Sequence, residues 1–370
     1  MHINQGPLHR YVSALWEAKG TDLLLTVESR PFIRVDGELR RLDDEAELTE
    51  EDIGLVIVGV LTEEQMREFE HRRDTDFAVS FEDKARLRGS AYMQRGNPAL
   101  ALRLIPDRIP SFDELGLSAA VRDLATLAQG LVLFTGPTGS GKSTSQAAVV
   151  DWINHNRRCH ILTIEDPIEY LHRHAQSAVS QREVGTDSDS FARALRSALR
   201  EDPDVILLGE MRDPESIAIA LTLAETGHLV ISTLHTNDAA QALDRIVDVF
   251  EAERQEQIRV QLSSALAAVV AQRLLPRIGG GLVAAYEVLI ASHAVRNLIR
   301  EGKTRQIRNV ITTGQGVGMQ TLEAGLSRLV LERVVTYEDA VARALVPNEV
   351  ATAPPVVRND VMASLPPPLE

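Results

Sequence analysis

Residues 131–144 read LVLFTGPTGSGKST. Leu131 to Phe134 is an apolar run of the kind that forms a buried strand. Gly136, Pro137, Thr138, Gly139, Ser140, Gly141, Lys142 and Ser143 then fill the spacing G-x-x-x-x-G-K-[ST] without a gap, and Thr144 follows. The next stretch, SQAAVVDWINH, is able to form a helix. Strand, glycine-rich loop and helix in this order make a phosphate cradle. Glycines let the backbone come close and aim N–H groups at phosphate oxygens. The helix N-terminus adds about half a positive charge. In such a cradle Lys142 reaches the β- and γ-phosphates and Ser143 holds Mg²⁺. The alternative is a chance glycine loop, against which the flanking strand and helix weigh.

Working outward, 370 residues suffice for two domains. At 44% hydrophobic and 25% charged, the composition is that of an ordinary globular protein. No apolar run approaches the roughly 18–20 residues of a membrane helix. MHINQGPLHRY lacks the basic and apolar regions of a signal peptide. Cys159 is the single cysteine, which excludes an intrachain disulfide and a multi-cysteine zinc site. These features fit the cytoplasm. The net charge of −14 and only 4% aromatics speak against a nucleic-acid motor, which needs a basic stripe and stacking platforms.

Upstream, LHRYVSALWEAK places Leu8, Tyr11, Val12, Leu15 and Trp16 on one helical face. LLLTV and PFIRV read as strands, with a hairpin turn at Asp36-Gly37. The acidic run 43–52 reads as a solvated loop and first helical turn capped by Thr49, rather than a metal or partner site. Thr62 to Gln65 forms a second capping box. DFAVSF, ARLRGSAYMQRG and ALALRLIP read as three strands. Residues 1–105 are therefore expected to form a small mixed α+β domain. Pro106 and Pro110 mark a linker over 106–116, with a capping box from Ser111 to Glu114. Over 117–345 the runs LVLF, HILTI, DVILLG and HLVIST alternate with helical patterns, which predicts a parallel sheet with helices on its faces. Beyond Leu243 the pattern is mostly helical, through VQLSSALAAVVAQRLL, interrupted by the strand-like LVAAYEVLI. Residues 346–370, rich in proline, read as a disordered tail.

A nucleotide hydrolase also needs a group that positions water and a carboxylate near the metal. Glu165 and Asp166 fall at the end of the strand HILTI, the edge where open parallel sheets bind ligands. Glu165 is a candidate general base with Asp166 in support; a pair of helix-capping carboxylates is the alternative. Glu210 follows the strand VILLG in a Walker-B-like place, and competes with Glu165 for the role of base. Arg212 and Asp213 read as local structural partners. His228 and His235 flank a strand and are candidate γ-phosphate sensors. Charge spread over the transferred phosphoryl group calls for arginine, and Arg88, Arg95 and Arg103 on expected strands of the first domain are candidates.

GPTGSGKST, TIEDPIEY, DPDVILLGEMRD and HLVISTLHTNDA, in that order, resemble the Walker A, Asp box, Walker B and His box of the secretion and pilus ATPases. QREVG at 181–185, SALREDPD and GMQTLE at 318–323 fit the same family. The likeness covers residues 8 to about 345. Val295-Arg296-Asn297-Leu298-Ile299-Arg300-Glu301 is similar to the AIRNLIRE stretch of its retraction class, with Val295 in place of isoleucine. TDLLLT departs from the family's SDLHLT at Leu24. The resemblance implies a PAS-like N-terminal domain and a RecA-like ATPase domain with a helical C-terminal part. It implies a homo-hexamer using ATP and Mg²⁺ at the cytoplasmic face of the inner membrane. By resemblance Glu165 is the catalytic glutamate, Glu210 the Walker B glutamate, and Arg88, Arg95 and Arg103 face phosphate. The implied partners are an inner-membrane platform protein of the pilus machine and a paralogous retraction ATPase, without nucleic acid or membrane insertion. The implied work is pilus retraction and twitching motility. An early start at the N-terminal domain and a single cysteine separate this expectation from the assembly and type II secretion ATPases, which carry a four-cysteine zinc site. The competing readings are an accessory retraction ATPase, a nucleic-acid motor and a nucleotide-dependent switch that rarely turns over.

Overall fold

A computed structural model of the chain describes residues 2–3, 6–35, 37–82, 84–106 and 108–352. In chain order the elements are β1 (His2–Ile3), α1 (Pro7–Glu17), β2 (Asp22–Thr26), β3 (Phe32–Val35), β4 (Glu38–Arg41), α2 (Glu50–Val60), α3 (Glu63–Arg72), β5 (Asp74–Phe81), β6 (Ala85–Gln94) and β7 (Asn97–Pro106). Then come α4 (Phe112–Leu115), α5 (Ala119–Leu124), β8 (Gly130–Thr135), α6 (Lys142–Asn156), β9 (His160–Glu165), β10 (Ala178–Glu183), α7 (Phe191–Ala198), β11 (Val205–Leu208), α8 (Pro214–Glu225) and β12 (Leu229–Leu234). The chain continues with α9 (Ala239–Asp248), α10 (Ala252–Ala265), β13 (Leu266–Pro276), β14 (Leu282–Ile290), α11 (His293–Arg300), α12 (Ile307–Thr313), α13 (Leu322–Leu331) and α14 (Tyr337–Arg343). It divides into two compact units: residues 1–111 with 143–203, and residues 112–142 with 204–370.

The first unit holds a seven-stranded sheet in the order β1-β5-β6-β7-β2-β3-β4. Its β5–β6–β7–β2–β3–β4 pairings are antiparallel, and β1 joins β5 in parallel. Alternating residues of the sheet, among them Leu23, Leu25, Leu87, Leu100 and Leu102, pack with Val12 and Leu15 of α1 and Ile53 and Ile57 of α2. Each such side chain, taken from water, contributes about 1.5–3 kcal/mol. Thr49 caps α2 as expected: its hydroxyl accepts from the Asp52 N–H at 3.2 Å, and Asp52 accepts from the Thr49 N–H at 2.8 Å. Thr62 and Gln65 do the same for α3. Of the expected hairpin turn at Asp36-Gly37, Asp36 lies outside the described residues; β3 and β4 pair on either side of it. The same unit carries β9 and β10, paired in parallel from Ala178↔His160 to Glu183↔Glu165.

In the second unit the strand order is β11-β12-β8-β13-β14. The first four run parallel and β14 is antiparallel to β13. Val205–Leu208, Leu229–Leu234 and Gly130–Thr135 are buried along their whole length, which explains why they read as continuous apolar runs. The sequence-based expectation fails at one place here. The helix expected through VQLSSALAAVVAQRLL stops at Ala265, and Leu266–Pro276 is strand β13. Alanine favours helix, but here pairing to β8 on one side and β14 on the other, with most of the strand buried, outweighs that preference. The expected tail over 346–370 is ordered where it is described. Pro347–Glu349 forms a 3₁₀ turn and Val350 is buried, while 353–370 lies outside the described residues.

Candidate active site

Strand direction decides what can meet. In the second unit β8 and β12 pair in parallel from Gly130↔Leu229 to Thr135↔Leu234. The glycine-rich loop leaves the Thr135 end, so His235 leaves β12 beside it. His228, expected as a second sensor, sits at the opposite end of β12, with Nδ1 3.0 Å from the Leu223 carbonyl. It belongs to the α8–β12 connection and not to this edge. β11 runs parallel to β12, which brings Glu210 to the same edge as His235. His235 Nε2 lies 3.3 Å from Glu210 Oε2, and Arg212 pairs with the other carboxylate oxygen. Asp213 caps α8, accepting from the Ser216 N–H at 2.8 Å. Arg212 and Asp213 are therefore local partners, as the sequence suggested.

The loop itself is shaped by close approach. Gly136 and Gly141 have φ of +146° and +84°. A Cβ at Gly136 would stand 2.5 Å from the Gln272 carbonyl oxygen, and one at Gly141 2.8 Å from Gln272 Nε2. Lys142 Nζ donates to the carbonyls of Gly136 at 2.9 Å and Pro137 at 3.1 Å. Pro137, Thr138 and Gly139 are exposed. The Ser140 hydroxyl is buried and has no hydrogen-bond partner within the loop's surroundings. A buried, unanswered hydroxyl is costly, and a phosphate oxygen answers it. The cradle thus fits a polyphosphate on its own geometry. Ser143 and Thr144 follow in the first turn of α6.

In the first unit Glu165 ends β9 and is 8% exposed. The Thr163 hydroxyl donates to its Oε1 at 2.7 Å, Gln181 Nε2 to the same oxygen at 3.4 Å, and the Glu169 N–H to Oε2 at 3.4 Å. Burial pushes its carboxyl up to about 7, and the three donors pull the other way without cancelling that. Such a carboxyl takes and releases a proton near neutral pH. Asp166 is exposed, and Thr144 Oγ1 lies 2.9 Å from the Tyr170 hydroxyl.

Arg88 and Arg103 stand opposite one another on β6 and β7. Each faces a carboxylate: Arg103 Nε donates to Asp22 at 2.8 Å, and Arg88 lies 3.7 Å from Asp76. Both line a cleft of about 570 Å³ that Pro167, Glu169 and Tyr170 also border. Arg95, expected on a strand with them, lies instead in the Arg95-Gly96 turn between β6 and β7, at φ 51°. Two-residue hairpin turns require such left-handed backbone. Seven residues of strand put it about 23 Å from Arg88.

Against known proteins, residues 33–281 match the family described as type II/IV secretion system protein. The chain belongs to this family. Among curated members, the type IV pilus retraction ATPase PilT of Pseudomonas aeruginosa is 46% identical over 328 residues, 89% of this chain and 95% of the relative. The type IV pilus ATPase PilU of the same organism is 42% identical over 89% of this chain and 86% of its own. A crystal structure of the pilus retraction motor PilT with bound ADP superposes with a TM-score of 0.86 at 45% identity, covering 93% of this chain and 99% of that one. The α/β fold with mixed sheets is thus the fold of this type II/IV secretion family.

Two kinds of site residue escaped the sequence. Thr163 and Gln181 hold Glu165, but β10, reading AVSQRE, has too little apolar alternation to announce a strand. Arg273 and Glu287 are buried in the apolar strands β13 and β14. A charge within an otherwise apolar run was the available signal. The Val295–Glu301 stretch forms most of α11. Val295 and Ile299 are buried, and Arg296 Nη1 donates to the Ser263 and Ser264 carbonyls at the end of α10, at 2.5 and 2.6 Å. Asn297, Arg300 and Glu301 are exposed, and Leu298 is partly so. No helix among the described residues is long and apolar enough to cross a membrane.

Proposed function

We propose that this chain is a Mg²⁺-dependent ATPase whose hydrolysis drives type IV pilus retraction and twitching motility. One observation carries the proposal: the likeness to PilT extends over nine-tenths of the chain, enough to take in all four nucleotide boxes and the Val295–Glu301 stretch. On this reading the N-terminal region, residues 1–105, is a PAS-like domain, 106–116 a linker, and 117–345 a RecA-like ATPase domain. The chain works as a homo-hexamer at the cytoplasmic face of the inner membrane. Its partners are the platform protein of the pilus machine and a paralogous retraction ATPase, and nucleic acid is not among them.

The residues take these roles. Gly136–Thr144 bind the phosphates, with Lys142 turning from its loop carbonyls to the β- and γ-phosphates. Ser143 and Glu210 would hold Mg²⁺, which supplies positive charge to the phosphate oxygens. Glu165, carrying a proton affinity near neutral pH, takes the proton of the attacking water, and Asp166 supports it. His235 reports the state of the γ-phosphate to Glu210. Arg88 and Arg103, which stand opposite one another on β6 and β7, neutralise charge on the transferred group.

The test is a steady-state ATPase assay joined to a motility assay. Wild-type protein should hydrolyse ATP only with Mg²⁺ and restore twitching to a strain lacking it. Lys142→Ala should lose ATP binding and retraction together; retained retraction would sink the motor reading. The PilU likeness supports a second reading, an accessory motor. Retraction restored only when another retraction ATPase is present marks that case. Tight, salt-sensitive DNA binding with DNA-stimulated turnover marks the nucleic-acid motor instead.

A further inference from the structure

The loop that carries His235 is held at three points by three different strands of the second unit. Thr135, the last residue of β8, donates its hydroxyl to the Thr236 carbonyl at 2.8 Å and accepts from the Thr236 N–H at 3.1 Å. Arg273 of β13 donates Nη2 to both the Asn237 carbonyl, at 2.9 Å, and Asn237 Oδ1, at 3.0 Å. Glu287 of β14 accepts from the Ala239 N–H at 2.8 Å. Ala239 opens α9, so the carboxylate answers a helix N-terminal donor that has no partner within the helix. The register sets Arg273 opposite Ala285 and Ala271 opposite Glu287, which places Arg273 and Glu287 on one face of the sheet. Gln272, between Ala271 and Arg273, lies against the glycine-rich loop at Gly136 and Gly141. Adjacent residues of β13 thus touch the phosphate loop and the His235 loop.

Both side chains are almost fully buried, Arg273 at 8% and Glu287 at 2% exposure. Dehydrating such groups costs several kcal/mol, and apolar side chains of similar volume often serve a fold's stability as well. Arg273 moreover spends Nη2 on Asn237, which is exposed, while its Nη1 donates to the neighbouring Gln272 carbonyl at 3.2 Å. Stability does not explain the arrangement; fixed geometry does. We propose that Arg273 and Glu287 are positioning residues, which clamp residues 235–239 so that His235 stays within reach of Glu210 at the end of the phosphate loop. The proposal rests on the ATPase reading above.

The test uses the full chain, with Mg²⁺-ATP turnover and the affinity for a fluorescent ADP analogue measured in parallel. Arg273→Gln should lower kcat about 10- to 100-fold while ADP affinity stays within about threefold, because misplacement by about 1 Å acts on the reaction rather than on ground-state binding. Arg273→Lys, which keeps one charged donor, should recover part of the loss. Arg273→Gln combined with His235→Ala should be no slower than His235→Ala alone, since both act through one loop. Full additivity overturns the proposal, as does an equal loss of ADP affinity. Should Arg273→Gln not fold, the exposed Asn237→Ala decides: it should reduce kcat about threefold or more, the worth of one lost hydrogen bond, and again not add to His235→Ala. Unchanged kcat in Asn237→Ala overturns the clamp. Absence of turnover in wild-type protein overturns instead the ATPase reading beneath it.

Discussion

His235 Nε2 lies 3.3 Å from Glu210 Oε2 although the two residues follow different strands, β12 and β11, and are 25 residues apart. Parallel pairing of those strands puts both at one edge. The Glu210 carboxylate is held from both sides, by His235 and by Arg212, and its side chain is only 16% exposed. Glu210→Gln removes the charge and keeps the shape. We expect ATP turnover to fall by about 100-fold or more, the usual cost of a lost electrostatic group at a reacting centre. ADP affinity, measured by fluorescence, should change far less. Arg212 is 77% exposed, so Arg212→Ala should cost little: under about 1 kcal/mol in stability. Normal turnover in Glu210→Gln would remove Glu210 from the machinery.

The base role proposed for Glu165 predicts a pH dependence of turnover. Its carboxyl is pushed up to about 7 by burial, and only the carboxylate accepts a proton from water. The protonated carboxyl predominates below that value and the carboxylate above it. Turnover should therefore rise about tenfold per unit as pH increases toward 7 and level off beyond it. Thr163 and Gln181 donate to the carboxylate and so favour the charged form. Gln181→Leu removes one donor and should move the midpoint of the profile upward. Glu165→Gln should abolish turnover while leaving nucleotide binding intact. A profile flat from pH 6 to 8 would assign the proton to another group.

What the sequence disclosed follows a physical rule. Buried parallel strands such as Leu131–Phe134 and Val205–Leu208 are legible because both faces are apolar, and the phosphate loop because its glycine spacing is strict. The Thr49 and Thr62 caps were legible because capping is local. The failures are non-local. β13 contains alanines that suit a helix, and only its neighbours make it a strand. His228 and His235 bracket the same strand, and nothing in their spacing says which end faces the phosphate loop; the parallel register of β8 and β12 does. Arg95 reads as a strand residue until Gln94 and Asn97 are seen to pair, which leaves Arg95-Gly96 as the turn. Arg273 and Glu287 have no motif, because they act on the distant Asn237 loop and the first residue of α9.

The glycines of the phosphate loop are not equivalent. Gly136 and Gly139 both have positive φ, +146° and +77°. A Cβ at Gly136 meets the Gln272 backbone oxygen at 2.5 Å, whereas one at Gly139 meets nothing within 4 Å. Gly139→Ala carries backbone strain alone, about 1–2 kcal/mol. Gly136→Ala adds a clash with main chain, which cannot swing aside, and should cost roughly 3 kcal/mol or more in stability. It should also displace β13 or the loop and weaken ADP binding. Thermal unfolding and ADP titration of the two variants compare them directly. Equal behaviour would mean that the approach of Gln272 to the loop has no energetic weight.

Glu323, quoted earlier only as the last letter of GMQTLE, is 1% exposed and ties the end of the described chain to α13. Its Oε1 accepts from the Leu345 and Val346 N–H groups at 2.9 and 2.8 Å, and its Oε2 from Arg308 Nη2 at 3.0 Å. Arg308 in turn reaches Glu349 at 2.7 Å. Glu323→Ala would strand two backbone donors and a guanidinium, so we expect a loss of about 3–5 kcal/mol in urea unfolding. Glu323→Gln keeps an acceptor oxygen for the two N–H groups but gives up the charge opposite Arg308, and should fall between Glu323→Ala and wild type. Glu349 is half exposed, and Glu349→Ala should cost no more than about 1 kcal/mol. That ordering separates a buried carboxylate organising backbone from a surface ion pair. If Glu323→Ala and Glu349→Ala unfold alike, residues 345–350 are held by Val350 and its apolar neighbours rather than by the carboxylate.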